Sequence, residues 1–141
     1  MLPRTHLAID RRLCGEPLDT PQADAGTARV ALTTLPEMAV DAAGLVHGGF
    51  VFGLADHAAM LAVNEPFVVL GSAAVRFLRP VRVGERLVAD ARREDAQGRK
   101  SRVLVEVRRA PGGEQAGELV MSGELVCLTL DRHVLEPAGG A

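Results

Sequence analysis

Residues 47–63 read His-Gly-Gly-Phe-Val-Phe-Gly-Leu-Ala-Asp-His-Ala-Ala-Met-Leu-Ala-Val. From Gly49 onward the run is almost wholly apolar and carries one carboxylate, Asp56, at its middle. A helix that is apolar on every face must be buried all round, and about fifteen residues at about 1.5 Å each are too few to span a bilayer. The stretch therefore predicts a buried core helix.

Asp56 is the leading candidate for a site residue. Burying an unpaired carboxylate costs several kcal/mol unless its pKa shifts or partners are supplied, and sequences tolerate that cost mainly where chemistry needs the charge. The alternative is a structural acid that is hydrogen-bonded in the core. His57 follows Asp56 on another face of the helix and is expected to pack in the core or to lie at an interface.

The start of the predicted helix carries a second chemical signal. A helix N-terminus presents unsatisfied N–H groups and a partial positive charge, and the Gly48-Gly49 pair lets a carbonyl approach them closely. A carboxylate complements such a site by taking a proton from water or by attacking directly. Gly48 and Asp56 are eight residues apart, about 12 Å along one helix, so they cannot serve one carbonyl within one chain. The predicted site lies between antiparallel helices of two subunits.

The hydrophobic period changes after Pro66, where the helix is expected to end at Asn64-Glu65. Alternation predicts strands near residues 27–35, 67–79, 87–92, 102–108 and 119–130, with turns at 96–99 and 111–113. One strand before the helix and four after it indicate an α+β fold, an antiparallel sheet wrapped around one long central helix, which is the hotdog arrangement. Such a sheet leaves open edges, so at least a homodimer is expected.

Length and composition predict one domain over residues 1–141, with a lead-in arm to about residue 25 and a frayed tail from about residue 136. The net charge of −2 and the absence of Trp and Tyr argue against a nucleic-acid or membrane-surface partner. Cys14 and Cys127 have neither disulfide-framework nor zinc-ligand spacing and are expected to pack as thiols. No metal or cofactor is predicted. Because the chain starts without a signal-peptide pattern, a cytoplasmic location is expected.

The pattern D-x-x-G-x-x-H-G-G-x4-L-A-D over residues 41–56 resembles the N-x-x-G-x-x-H-G-G-x4-L-A-D signature of the phenylacetic-acid-pathway acyl-CoA thioesterases of the hotdog superfamily. The likeness extends from about residue 31 to about residue 130 and includes Asn64 and the segment 75–85. It implies hydrolysis of acyl-CoA to free acid and coenzyme A by a dimer or a dimer of dimers. The Gly48 N–H would polarise the thioester carbonyl, and Asp56 of the opposing subunit would act as general base or nucleophile.

Other residues receive weaker assignments from the same resemblance. Asp41 replaces the family's Asn, so it either keeps that side chain's orienting role or acts as a second acid. His47 either positions substrate or caps the helix, and Gly49 and Ser72 are expected to contact the reacting groups. Arginine binds phosphate bidentately, so the strand after the helix supplies candidates to hold coenzyme A, although a solvated strand face explains them as well: Arg76, Arg79, Arg82 and Arg86.

Three alternatives stay open at this stage. A non-catalytic acyl-CoA-binding module is the first, and the lipid-synthesis repressor that shares the fold is similar over residues 76–85. That repressor adds a DNA-binding helix-turn-helix, for which about 25 residues before the first strand are expected to leave no room. A hotdog hydratase and a hotdog dehydratase are the other two alternatives. Each would need a spacing between His and acid that differs from the spacing between Asp41 and His47. The acyl group, and the choice between coenzyme A and acyl-carrier protein, stay undetermined.

Overall fold

The computed structural model describes residues 2–18, 26–112 and 117–136. Within these ranges helix α1 spans Arg11–Cys14 and helix α2 spans Gly48–Val63, with a short 3-10 turn at Pro36–Met38. The strands, in chain order, are β1 Glu16–Pro17, β2 Thr27–Thr33, β3 Val68–Phe77, β4 Arg86–Gln97, β5 Lys100–Arg109 and β6 Leu119–Thr129. None of the described helices is both long and apolar enough to cross a membrane.

The strands form one antiparallel sheet in the order β1-β2-β4-β5-β6-β3, and α2 packs against one face of it. Alternate residues of each strand face the helix. On β5, for example, Val103, Val105 and Val107 are at most 1% exposed, whereas Arg102 and Glu106 are exposed. The predicted α+β fold with an antiparallel sheet around one central helix is confirmed. Strand β3 lies at one edge of the sheet, so its ten residues have no neighbouring strand on their outer side among the described residues.

Helix α2 ends where the sequence predicts. Asn64 has left-handed backbone angles, φ 54° and ψ 45°, and Pro66 two residues later cannot continue the helix. The Asn64 side chain accepts a hydrogen bond from the Arg4 backbone at 2.8 Å and donates one to the Leu2 carbonyl at 3.3 Å. The lead-in arm is thereby attached to the end of the helix.

The arm also covers one side of α2. The His6 ring stacks on the His57 ring with centroids 6.1 Å apart, and His57 Nδ1 donates to the Cys14 carbonyl at 3.2 Å. His57 is 1% exposed. Burial lowers the pKa of both histidines, so at neutral pH the pair is uncharged and packs as predicted for a core residue.

Strand β1 was not predicted, because two residues carry no hydrophobic periodicity. Cys127 is buried and Cys14 is half-buried, and both are free thiols in the described part of the chain, as predicted. The hairpin at 96–99 is confirmed, with Gly98 at φ 59° between β4 and β5. The turn predicted at 111–113 lies partly, and the tail predicted from about 136 almost wholly, outside the described residues.

Candidate active site

The start of α2 is anchored by backbone hydrogen bonds on both sides. The His47 N–H donates to the Met38 carbonyl at 2.9 Å, and the Val46 N–H donates to the Val81 carbonyl at 2.8 Å. His47 is the N-cap residue with extended ψ 129°, and its side chain makes no capping hydrogen bond. Because Gly48 is the first residue of the helix, its N–H has no acceptor inside α2. This N–H, at the positive end of the helix, is free to bind a developing oxyanion.

Two rings stand beside this first turn. A Cβ atom placed on Gly49 would lie 2.8 Å from Nε2 of the exposed His47 ring, so a larger residue at position 49 would displace that ring. A Cβ atom on Gly48 would lie 3.4 Å from Phe77 Cε1, at the limit of ordinary contact. Phe50 meets the His47 ring edge to face, with centroids 6.0 Å apart. The His47 ring therefore lies in the Cβ direction of Gly49, and the Phe77 ring lies in that of Gly48.

Asp56 lies two turns further along α2 and lacks a partner. Its Oδ1 atom is buried and makes no hydrogen bond with any described residue. Burial raises the pKa of the Asp56 carboxyl above its ordinary value. Cys127 of β6 lies close enough for the Asp56 charge to add to the effect of burial, which raises the pKa of that thiol to about 12. An unsatisfied buried carboxylate is costly, and this one is found where the sequence predicts a general base.

One stripe of α2 is less covered than the rest of the helix. Gly49 is exposed, and Phe52, Gly53 and Asp56 are half-buried, while the helix residues at the other positions from Leu54 to Val63 are buried. The spacing 49, 52, 53 and 56 places these four residues on one face. Nothing lies within 4 Å of a Cβ atom placed on Gly53. The all-round burial predicted for the helix is thus incomplete in a single chain, and the uncovered stripe contains Asp56.

Asp41 organises the loop that leads into α2. Its Oδ1 accepts hydrogen bonds from the Ala43 N–H at 3.0 Å and the Leu45 N–H at 3.2 Å, and its side chain is exposed. Gly44 completes the turn with φ 84°. An Asn side chain offers the same acceptor oxygen and could make the same two loop contacts.

Ser72 and Arg76 lie on the face of the sheet away from α2, and their predicted roles in a site between subunits stay predictions. The pairing of β3 with β6 shifts register between Leu70 and Ser72, and this bulge reverses the alternation of the strand. Leu70 and Val75 therefore pack on the helix side. Ser72 and Arg76 fall on the opposite face of the sheet, where Arg76 lines a surface groove.

Two of the other arginines are engaged in the protein's own contacts. Arg79 lies beyond the end of β3 and forms an ion pair with Glu118, 3.4 Å between Nε and Oε2. The Arg82 side chain lines a shallow pocket with Glu85 and Arg109. No group of three His, Cys, Asp or Glu residues in the described ranges is arranged to hold a metal ion.

Two residues of this region were missed by sequence reasoning. Phe77 was treated as one member of an alternating strand, although the structure places its ring against Gly48. Gly53 was treated as part of an apolar run. The spacing of Gly49, Gly53 and Asp56 on one helix face was the signal that could have marked it.

The comparisons with known proteins agree with this fold and site. The family model of the thioesterase superfamily matches residues 43–116, slightly more than half of the chain. The chain belongs to the thioesterase superfamily and has its hotdog fold. Helix α2, β3, β4 and β5 all fall inside the matched segment.

Two solved structures share this fold. The uncharacterized protein PH1136 from Pyrococcus horikoshii is 49% identical, with a TM-score of 0.82 over 96% of this chain and 100% of that one. The E. coli PaaI protein from the phenylacetic acid degradation operon is 24% identical, with a TM-score of 0.74 over 89% of this chain and 86% of that one. The second likeness shows the fold.

Two curated relatives are longer proteins. The chain is 50% identical over 103 residues, 73% of its length, to 22% of the methylthioribose-1-phosphate isomerase of Aquifex aeolicus. It is 39% identical over 70 residues, 50% of its length, to 37% of the transcription factor FapR of Shouchella clausii. The chain thus spans about a fifth to two fifths of the curated relatives it matches, whose names describe whole proteins.

Proposed function

We propose that this protein hydrolyses acyl-CoA thioesters to a free acid and coenzyme A, as a homodimer or a dimer of dimers and without a cofactor. The observation that carries the proposal is the buried, unpartnered Oδ1 of Asp56 on the uncovered stripe of α2. The same helix begins with the free amide of Gly48. Membership of the thioesterase superfamily supports the reaction class.

A two-fold axis near Phe52 would bring the two halves of the site together. Residue 52 is midway between 48 and 56, so antiparallel pairing of two α2 helices about that point sets Gly48 of one subunit opposite Asp56 of the partner subunit. The open space beside Gly53 leaves room for such close packing. The unpaired edge of β3 offers a second surface to the same partner.

The proposed reaction needs only these groups and water. The thioester carbonyl oxygen accepts a hydrogen bond from the Gly48 N–H, which stabilises the oxyanion of the tetrahedral intermediate. Asp56 of the partner subunit takes a proton from water as the water oxygen bonds to the carbonyl carbon. The C–S bond then breaks, and the proton passes to the departing coenzyme A thiolate. In the nucleophilic variant the carboxylate bonds to the carbonyl carbon first, and water hydrolyses the resulting anhydride.

The test is Asp56→Asn assayed by release of free thiol from a panel of acyl-CoA substrates. Loss of a general base costs about 10² to 10⁴ in kcat, while acyl-CoA binding should be retained. Asn is close to isosteric and removes an unpartnered charge, so the melting temperature should hold or rise. Near-normal kcat in the folded variant would refute a catalytic role. A collapse of the fold would show that Asp56 is a structural acid.

A non-catalytic acyl-CoA-binding module is the second candidate. The similarity to FapR, a transcription factor, is the observation that favours it. Calorimetric titration with acyl-CoA and the thiol-release assay separate the two functions. A binding module gives saturable heat and no thiol at any substrate concentration, and the Asp56→Asn change then has no rate to lower.

A further inference from the structure

We infer that Phe77 selects against branching at the first carbon of the acyl group. This inference rests on the proposed thioester hydrolysis and concerns the substrate class of the same site. Three atoms of the Phe77 ring, Cε1, Cδ1 and Cζ, lie 3.4, 3.7 and 3.8 Å from the position of a Cβ atom on Gly48. The ring thus lies beside the residue whose amide would bind the carbonyl oxygen.

The ring lies on the side toward which the amide points. In a helix the Cα–Cβ direction is tilted toward the N-terminus, and the N–H of the first residue points the same way. Given a Cβ to amide nitrogen distance of about 2.5 Å, the nearest ring atom lies within about 6 Å of the Gly48 nitrogen. A carbonyl oxygen bound at about 2.9 Å places the first acyl carbon about 4 to 5 Å from that nitrogen. The ring and the first acyl carbon thus lie at similar distances from the amide, and we expect substituents on this carbon to contact the ring.

The chemistry of the two sides decides which arm of the thioester faces Phe77. The other side of the first turn carries the His47 imidazole, which lies over Gly49 and suits the polar pantetheine arm. Phe77 is apolar and 54% exposed at the end of the edge strand, so its ring is available to an apolar acyl arm. The chain has no Trp or Tyr and four Phe residues, and the three atoms nearest to that Cβ position on Gly48 all belong to Phe77.

The test compares butyryl-CoA with isobutyryl-CoA, which have equal carbon numbers and differ in branching at the first carbon. The ratio of kcat/KM for isobutyryl-CoA over butyryl-CoA is measured in the wild type, Phe77→Ala, Phe77→Leu and the control Phe67→Ala. Phe67 packs at the far end of β3 against His133, with ring centroids 6.4 Å apart. We expect the ratio to rise at least about tenfold in Phe77→Ala and less in Phe77→Leu, and to stay unchanged in Phe67→Ala.

An unchanged ratio in folded Phe77→Ala, or an equal rise in Phe67→Ala, would overturn the inference. If the wild type binds both thioesters and releases no thiol from either, the proposed hydrolysis fails. The affinities of the two ligands, measured by calorimetry in the same four proteins, then decide the role of Phe77. The affinity for isobutyryl-CoA relative to butyryl-CoA should rise in Phe77→Ala, rise less in Phe77→Leu and stay unchanged in Phe67→Ala. If the wild type neither binds nor hydrolyses either ligand, the inference is wrong, and the substrate panel used for Asp56→Asn decides the proposed function separately.

Discussion

Replacing Gly48 by Pro removes one N–H group from the proposed site with little change to the fold. Proline is well tolerated at the first position of a helix, where its missing N–H has no acceptor in the helix. His47 has φ −61° and ψ 129°, and this extended conformation is the one required of a residue before proline. Gly48→Ala is the matched control, because it adds the same Cβ atom beside Phe77 and keeps the N–H.

The two variants should differ in rate and agree in stability. The added Cβ atom stands 3.4 Å from Phe77 Cε1, so the half-exposed ring needs to move by only a few tenths of an ångström. Replacement of glycine also restricts the unfolded chain, which offsets such strain by about 0.4 to 1 kcal/mol. Loss of one oxyanion donor costs about 10² to 10³ in kcat, about 2.7 to 4 kcal/mol. We therefore expect Gly48→Ala to stay within about tenfold of the wild type and Gly48→Pro to fall well below it.

Thiol release from acyl-CoA measures kcat and KM, and thermal unfolding checks that both variants are folded. Equal kcat in Gly48→Pro and Gly48→Ala would refute the role of this amide. A mixture of Gly48→Pro with Asp56→Asn tests whether the site is shared between subunits. Each mixed dimer keeps one intact site, so random exchange should restore about a quarter of the wild-type activity from two inactive proteins. Mixed dimers that form without activity would contradict a shared site.

Three further predictions concern Asp41, Gly53 and the pH profile. Asp41→Asn keeps the oxygen that accepts hydrogen bonds from the Ala43 and Leu45 N–H groups, so kcat should be preserved. A loss of kcat beyond about tenfold, roughly 1.4 kcal/mol, would mean that the carboxylate takes part in the chemistry. In one chain the new side chain of Gly53→Leu meets open space, and the change improves helix propensity by up to about 1 kcal/mol. We nevertheless expect light scattering to show inactive monomers, because the leucine would block packing of α2 on a partner. An active dimer would contradict that packing. Asp56 must be ionised to act as a base, and burial raises its pKa. We therefore expect kcat/KM to fall toward acid pH with a midpoint above the ordinary Asp pKa of about 3.9. A midpoint at or below that value would exclude a raised pKa in the active enzyme.

The sequence predicted the elements whose pattern is long. Helix α2 was recognised because its apolar run is bounded by Gly48 and by Asn64 before Pro66, and β5 because Val103, Val105 and Val107 alternate with charged residues. These patterns depend on burial, which local sequence records directly. Asp56 was identified by the same logic, since a lone charge in an apolar run contradicts that burial.

Placement of the remaining residues depended on features that short patterns do not record. Ser72 was assigned to the site from its place after the helix, but one bulge in β3 moves it to the other face of the sheet. Phe77 reaches Gly48 because β3 pairs with β6 at the sheet edge, a contact between residues 29 positions apart in the chain. The sequence motif singled out Asp41, but only the geometry of its loop shows which N–H groups its oxygen binds.

The pKa of Asp56 connects stability, assembly and catalysis. In one chain burial raises the folded-state pKa of Asp56 above its unfolded value. The charged carboxylate therefore destabilises the fold at any pH above the unfolded pKa, and this destabilisation disappears as pH falls below about 3.9. The stability gained by Asp56→Asn should therefore grow as pH rises from acid to neutral. Covering the uncovered stripe of α2 with a partner would desolvate the carboxylate further and raise its pKa more. In the proposed dimer, however, the positive end of the partner's α2 faces the same carboxylate and favours its charged form. The amide end of one helix would then both bind the oxyanion and keep the opposing base ionised, which explains why the two groups occur on a single helix.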